Sequence, residues 1–117
     1  MEMVGGLMKK EYSPNDAIDY IFQKAPEYAK AKGTLAQLET YKHACIAIKA
    51  KESTLNSIAG KEMEAYASQD YQDLCKAIGI ATEQTEALKW QLEAARMRFQ
   101  AWQTESANNR QIEKLTK

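Results

Sequence analysis

Apolar residues recur at alternating steps of three and four through the C-terminal half of the chain. The series comprises Tyr71, Leu74, Ile78, Ala81, Thr85, Leu88, Leu92, Ala95, Phe99, Trp102, Ser106 and Asn109. This spacing is typical of one face of a helix in a coiled coil, here over about five heptads. Ser68 is a favourable N-cap for it. The pattern predicts a helix over about 69–115, roughly 70 Å long at about 1.5 Å per residue, in an elongated molecule.

A weaker heptad-like series lies in the middle of the chain. Its members are Leu38, Tyr41, Cys45, Ile48, Glu52, Leu55 and Ala59, and Glu52 does not suit an apolar seam. This series predicts a second long helix over 26–66, with weak points at Gly33 and around residues 57–60.

A short helix over 14–25 is predicted to precede these two. Ser13 can cap it, Pro14 suits the first helical position, and Asp16 places an acid in the first turn. Ile18, Ile21, Phe22 and Ala25 share one of its faces. Pro26 should end or kink this helix, because proline lacks an N–H and clashes with the preceding turn.

The predicted fold is all-α. Two long helices joined by a short connection at 67–69 should form an elongated, coiled-coil-like antiparallel hairpin, and the short N-terminal helix should cap or extend its open end. Residues 1–12 are predicted to be a flexible N-terminal tail, and 13–117 a single helical domain. Composition supports this fold, because Ala occurs eighteen times and Val once, which argues against a β-sandwich or barrel.

The predicted third helix carries a second apolar line on the side opposite its heptad series. The line consists of Ile80, Ala87, Trp90, Ala94, Met97 and Ala101. Three interpretations are open: the first helix packs on it within the chain, a second copy covers it in a homo-oligomer, or it contacts a partner protein or stacks on nucleic acid.

Charge cancels over the whole chain but is segregated along it. Residues 1–23 carry −2, 24–51 carry +4, 52–88 carry −5 and 89–117 carry +3. A hairpin turning near residue 68 would place the basic stretches at its open end and the acidic ones at its turn. The neutral total excludes an overall basic nucleic-acid binder but leaves a local basic surface open.

The candidate nucleic-acid contacts are Lys30, Lys32, Lys42, Arg96, Arg98 and Arg110. Single-stranded DNA is one partner that such a surface would bind through its phosphates. Docking of unlike charged ends on another protein is a second interpretation, and a solvated surface supporting the helices by local ion pairs is a third. Trp102 belongs to the heptad series, so we expect core packing for it rather than base stacking.

Catalytic chemistry finds little support in the sequence. His43 has no carboxylate at a recognisable motif spacing, and an exposed or half-buried helical histidine is expected. Cys45 should be a small core residue, and Cys75 lacks a nearby base. No phosphate loop, dinucleotide fingerprint or zinc spacing occurs. The sequence therefore predicts a non-enzyme without cofactor or metal.

The start of the chain and its hydropathy bear on localisation. Gly5 and Gly6 interrupt the apolar character that a signal peptide needs, and no 18-residue apolar run occurs. We therefore expect a cytoplasmic protein without membrane contact.

Several short stretches resemble a family of small phage and prophage proteins of uncharacterised function. They are Ala65-Tyr66-Ala67, Tyr71-Gln72-Asp73-Leu74, Leu88-Lys89-Trp90-Gln91-Leu92, Ala94-Ala95, Trp102 and Ser106-Ala107-Asn108-Asn109-Arg110. The resemblance covers roughly residues 26–112 and is most specific at Lys89-Trp90 and Asn109-Arg110. Similar proteins occur in early or recombination regions of temperate phages, and the resemblance supplies no catalytic residue.

The resemblance implies a role in DNA metabolism inside a host cell. The first functional hypothesis is a non-catalytic accessory to phage DNA recombination or replication, contacting a recombination protein or single-stranded DNA. The alternative is a protein-binding inhibitor or scaffold that acts on a host nuclease or defence complex.

Overall fold

A computed structural model describes residues 13–116, and these residues form three helices. Helix α1 spans Pro14–Glu52, α2 spans Ile58–Ala67 and α3 spans Gln69–Thr116. No strand occurs within this part of the chain. The prediction of an all-α fold is confirmed, and the predicted third helix is found almost as expected. The predicted flexible tail, residues 1–12, lies outside the described residues.

The N-terminus of α1 is capped as predicted. The Asp16 backbone N–H donates to Ser13 Oγ at 3.1 Å, and the Ser13 N–H donates to Asp16 Oδ2 at 3.4 Å. These reciprocal bonds satisfy backbone groups that the first helical turn leaves without partners. Pro14 occupies the first helical position, where its missing N–H costs nothing.

The predicted boundary at Pro26 is wrong. Neither a separate helix over 14–25 nor one over 26–66 is present, because α1 continues through Pro26 to Glu52. An interior proline removes one hydrogen bond at a cost of about 3 kcal/mol. Good helix formers such as Lys24, Ala25 and Ala29 flank it, and their continuous bonding outweighs that local loss.

The break between α1 and α2 falls earlier than the sequence predicted. It covers residues 53–57, and the Leu55 N–H donates to Ser53 Oγ at 3.2 Å instead of continuing a helix. Short hydroxyl side chains compete for backbone groups in this way. Ser57 then caps α2, since its side chain accepts the Gly60 N–H at 3.0 Å.

Ser68 alone separates α2 from α3. Its hydroxyl donates to the Ala65 carbonyl at 2.6 Å, closing α2, and accepts the Tyr71 N–H at 3.3 Å, opening α3. Its backbone is extended, with φ −65° and ψ 151°. The predicted N-cap role of Ser68 is confirmed, and the same residue also ends the preceding helix.

The helices pack as two compact units. The central unit is Glu27–Leu88, and the terminal unit joins the residues up to Pro26 with those from Lys89 onward. Within the central unit α1 and α3 run antiparallel, since Lys49 pairs with Asp70 at 2.5 Å while Ala31, earlier in α1, lines a groove with Leu88, later in α3. The buried residues of this unit are Cys45, Ala65, Leu74, Ala81 and Thr85.

The terminal unit pairs the start of α1 with the second half of α3. Tyr20 donates its hydroxyl proton to Gln91 Oε1 at 2.9 Å, and Ala17 and Ala95 are buried. The heptad series is buried or half-buried from Tyr71 through Phe99. Beyond Phe99 the prediction fails, since Trp102 and Asn109 are exposed and Ser106 is only half-buried.

Candidate interaction surface

The second apolar line of α3 is exposed in the terminal unit. Trp90 exposes 61% of its surface and Met97 exposes 54%, while Ala101 is exposed and Ala94 is half-buried. Leu92, Ala95 and Phe99 take the opposite side of α3 and account for the burial there. We call Trp90, Ala94, Met97 and Ala101 the Trp90 face.

The interpretation in which the chain's own first helix covers this line is wrong for its large members. α1 packs on the heptad series, and within the described residues nothing buries the side chains of Trp90 and Met97. Ala94 differs, because it lines a groove shared with Ala17 of α1.

The central unit contains the remaining two members of the line. Ile80 exposes 58% of its surface, and Ala87 is also exposed. Their neighbours Ala81 and Thr85 are buried on the other side of α3, and Thr85 donates its hydroxyl proton to the Ala81 carbonyl at 2.7 Å. One side of α3 is therefore buried against the rest of the unit, while apolar residues on the other side are exposed.

The Trp90 face has the chemistry of a protein-binding surface. The Lys89 ammonium lies 5.5 Å from the centre of the Trp90 ring, a cation–π arrangement that leaves most of the ring exposed. The side chain of Met97 is unbranched and polarizable, so it can adapt its shape to a surface that contacts it. Ala94 and Ala101 are small, so another helix could approach α3 closely between the two large side chains.

The six candidate nucleic-acid residues divide between the two units. Lys30, Lys32 and Lys42 belong to the central unit, where Lys42 is half-buried and the Lys32 ammonium lies 5.6 Å from the Tyr28 ring centre. Arg96, Arg98 and Arg110 belong to the terminal unit and are exposed. The structure thus places three of these residues in each unit.

Arg96, one of these candidates, and Lys49, which is not among them, both pair with carboxylates. Arg96 donates to Glu93 Oε2 at 2.7 Å, and this hydrogen bond raises the pKa of the guanidinium. In the central unit, hydrogen bonds first to Asp70 and then to Glu52 raise the pKa of Lys49. Arg96 is therefore engaged within its own helix, which weakens its case as a phosphate contact.

A groove of about 420 Å³ in the terminal unit was not predicted from the sequence. Its lining comprises Asp16, Ala17, Tyr20, Gln91, Ala94, Ala95 and Arg98. Three alanines form the apolar part of the lining, and the polar side chains surround them. The sequence signal was the coincidence of small residues at 17, 94 and 95, but only the helix register shows that they face one another.

The residues weighed for chemistry lie apart from this surface. Cys45 is buried and free, as predicted for a small core residue, whereas Cys75 is exposed and free. His43 is exposed on α1, as predicted. Burial, and then a hydrogen bond with Cys75, raise the pKa of Tyr71. Across residues 13–116 no group of three or more potential ligands could hold a metal ion.

Hydropathy along the three helices also bears on membrane contact. None of the helices in the described part of the chain combines the length and apolar character needed to span a membrane.

Comparisons of the chain with protein-family models, with curated proteins and with solved structures gave no match.

Proposed function

We propose that this protein is a non-catalytic binding protein that uses the Trp90 face to contact another protein, as an accessory to DNA recombination or replication. The observation that carries the proposal is the 61% exposure of Trp90 beside the 54% exposure of Met97 on a regular helix. Contiguous exposed aromatic and methionine side chains are enriched at protein interfaces. The setting in DNA metabolism rests on the resemblance to phage and prophage proteins.

The experiment is capture of partners by the full chain with and without Trp90→Asp, with cross-linking at the position of Met97. A matched control is Phe22→Asp, since Phe22 exposes 77% of its surface on α1 in the same unit. We expect Trp90→Asp to abolish capture of a specific partner and Phe22→Asp to retain it. An unchanged set of partners in the Trp90 variant would refute this use of the face.

The alternative proposal keeps the same face and changes the partner. An inhibitor or scaffold of a host nuclease or defence complex would also bind through Trp90, because such interfaces use aromatic anchors in the same way. The identity of the cross-linked protein separates the two: a recombination or replication protein supports the first proposal, and a host nuclease supports the second.

Direct binding of single-stranded DNA is a further candidate. Its support is the exposure of Lys30, Lys32 and Arg110, together with the aromatic ring of Tyr28 beside the Lys32 ammonium. A mobility-shift assay with an oligonucleotide should show binding that weakens as salt increases. Absence of a shift at low salt would exclude this version while leaving the protein-contact proposal standing.

Self-association is the third possible use of the Trp90 face. Light scattering at several concentrations measures it directly, and a strict monomer would exclude a homo-oligomer built on Trp90. The foreign partner would then be the remaining occupant of the face.

A further inference from the structure

The central unit has one side on which two grooves lie between α1 and α3. One groove runs between Ile48 of α1 and Asp73 of α3, and the other between Thr34 and Gln84. The two residues of α1 are fourteen positions apart and those of α3 eleven, both close to whole numbers of helical turns, so the grooves open on the same side. None of the residues that line them belongs to α2. This side is therefore built by α1 and α3 alone.

Large apolar side chains border these grooves and are exposed. Tyr41 and Ile48 line the first groove, and each exposes about half of its surface. Ile80 is also exposed and lies on the same side of α3, since it comes seven residues after Asp73 and four before Gln84. We call this side the groove face, and its members are Lys30, Thr34, Tyr41, Ile48, Glu52, Asp73, Ala77, Ile80 and Gln84.

The apolar pattern of α1 and α3 in this unit is that of a four-helix bundle. An isolated helix pair buries one side of each helix, whereas a helix in a four-helix bundle contacts two neighbours and carries apolar residues on two adjacent sides. Cys45 and Leu74 are buried between α1 and α3, and Ile48 and Ile80 are exposed on the adjacent side. We propose that a second copy of the chain packs on the groove face, so that two central units form an antiparallel four-helix bundle. The proposal is independent of the function assigned to the Trp90 face, which belongs to the terminal unit.

The sizes of the side chains suit packing of the groove face on its own copy. The ion pair between α1 and α3 sets their register, so position 41 of α1 is level with about position 78 of α3. A half-turn about an axis that lies between the copies and crosses the helices at this level sets each helix antiparallel to the same helix of the second copy. Ile48 then lies opposite Thr34 of the second copy, and Ile80 lies opposite its Ala77. Large residues thus meet small ones on both helices, as close packing between helices requires.

Charge favours a second copy in this antiparallel orientation. The groove at Ile48 is lined by three acidic residues and one lysine, so this end of the face is acidic. The groove at Thr34 is lined by one glutamate and one lysine, Lys30, which is exposed. The half-turn places Lys30 of each copy opposite Glu52 of the other, whose side chain remains more than half exposed although it pairs with Lys49. Packing the copies with their helices in the same direction would bring the two acidic ends together.

The area of the groove face is sufficient for a specific dimer. About 20 residues of each helix span on the order of 30 Å, and two helices with axes about 9 Å apart present a face roughly 20 Å wide. The contact then covers on the order of 600 Å² per copy, or about 1,200 Å² in total, which is at the lower end of the range for specific interfaces. We therefore expect a dimer that dissociates on dilution.

The oligomeric state of the full chain tests the proposal. Sedimentation velocity over a range of micromolar concentrations should show a monomer–dimer equilibrium. Ile80→Asp should raise the dissociation constant at least about tenfold, because it places a charge in the apolar contact. The matched control is Met63→Asp, since Met63 exposes 73% of its surface on α2 of the same unit and lines neither groove. This control should leave the equilibrium unchanged, and circular dichroism shows that each variant is folded.

A charge exchange tests the orientation of the two copies. Lys30→Glu and Glu52→Lys should each weaken the dimer, and an equimolar mixture of the two variants should restore it, because each substituted position then faces the opposite charge. A native chain that stays monomeric at every concentration would overturn the proposal, as would a dimer that Trp90→Asp dissociates and Ile80→Asp does not. A mixture no more stable than either variant alone would overturn the antiparallel packing.

Discussion

The central and terminal units both contain parts of α1 and α3, but they differ in how many side chains they bury. Among the described residues, the central unit buries Cys45, Ala65, Leu74, Ala81 and Thr85, whereas the terminal unit buries only Ala17 and Ala95. The central unit also joins α1 to α3 by the ion pair of Lys49 with Asp70, while in the terminal unit Tyr20 and Gln91 supply a neutral hydrogen bond.

Along α3, it is the terminal unit that exposes more of the aromatic and long apolar side chains. Trp90, Met97, Trp102, Ile112 and Leu115 of the terminal unit all expose more than two-fifths of their surface. A helix pair can bury only one side of each helix, so its stability has to come from that side or from added partners. The difference indicates that the first half of α3 belongs to the more complete interior, whereas the second half of α3 leaves more of its large apolar side chains exposed.

The largest expected effect comes from shortening one leucine of the heptad series to alanine in each unit and comparing the two losses of stability. Leu74→Ala in the central unit removes a buried side chain and should lower the free energy of unfolding by about 2 to 5 kcal/mol. Leu92→Ala in the terminal unit removes a half-buried one and should cost about 1 kcal/mol. Urea denaturation measures both. Equal losses would contradict the contrast between the units.

Replacing Pro26 should have the next largest effect, and in the stabilising direction. Pro26→Ala restores a backbone donor inside α1 and should raise the free energy of unfolding by about 1 to 3 kcal/mol, partly offset by the freer unfolded chain. Pro14→Ala is the control, because proline is favourable at the first helical position and its loss should bring no gain. Thermal unfolding followed by circular dichroism would show an upward shift for the first variant alone.

Pro26 also shows where sequence reasoning reached its limit. The heptad series located α3 and its buried side through Phe99, and the hydroxyls of Ser13 and Ser68 marked two helix starts, because these signals are local. Whether α1 survives Pro26 depends on a balance between one lost hydrogen bond and the helix on both sides of it. A rule based on the proline alone counts the lost hydrogen bond and leaves out the stability of the helix on both sides.

The candidate surface was predictable in the same partial way. Spacing alone placed Trp90 and Met97 opposite the heptad series but left open whether α1 covers them; in the structure both are exposed. The groove around Ala17 and Ala95, and the exposure of Trp102, depend on how far α1 extends along α3. That length is set by the pairing register, which no pattern within a single helix contains.

Three glycines of the central unit allow a finer test. Replacement by alanine should raise the stability at two of them and lower it at the third. A Cβ at Gly33 or Gly79 would meet nothing within 4 Å, so alanine there should stabilise by about 0.5 to 1 kcal/mol each. At Gly60 the new Cβ would lie 2.8 Å from Ser57 Oγ, the acceptor that caps α2. Gly60→Ala should therefore destabilise in urea unfolding, and a gain equal to that of Gly79→Ala would show that this cap contributes nothing.

The smallest effect concerns the ion pair that distinguishes the central unit. Hydrogen bonds to Asp70 and Glu52 raise the pKa of Lys49, so the folded state holds this proton more tightly than the unfolded chain does. The resulting stability is fully present below the ordinary lysine pKa of about 10.4 and is lost as pH rises through the higher folded-state value. The difference in unfolding midpoint between the native chain and Lys49→Gln should thus stay constant up to about pH 10 and shrink above it.

Arg96→Gln supplies the matched control for this pH dependence. Its partner Glu93 lies in the same helix, and the guanidinium keeps its proton throughout the alkaline range, so its difference from the native chain should not change with pH. A narrowing for Arg96→Gln equal to that for Lys49→Gln would mean that general alkaline destabilisation, and not the Lys49 proton, causes the effect. A constant Lys49→Gln difference through strongly alkaline pH would show that the link from α1 to α3 contributes nothing to the stability that sets the central unit apart.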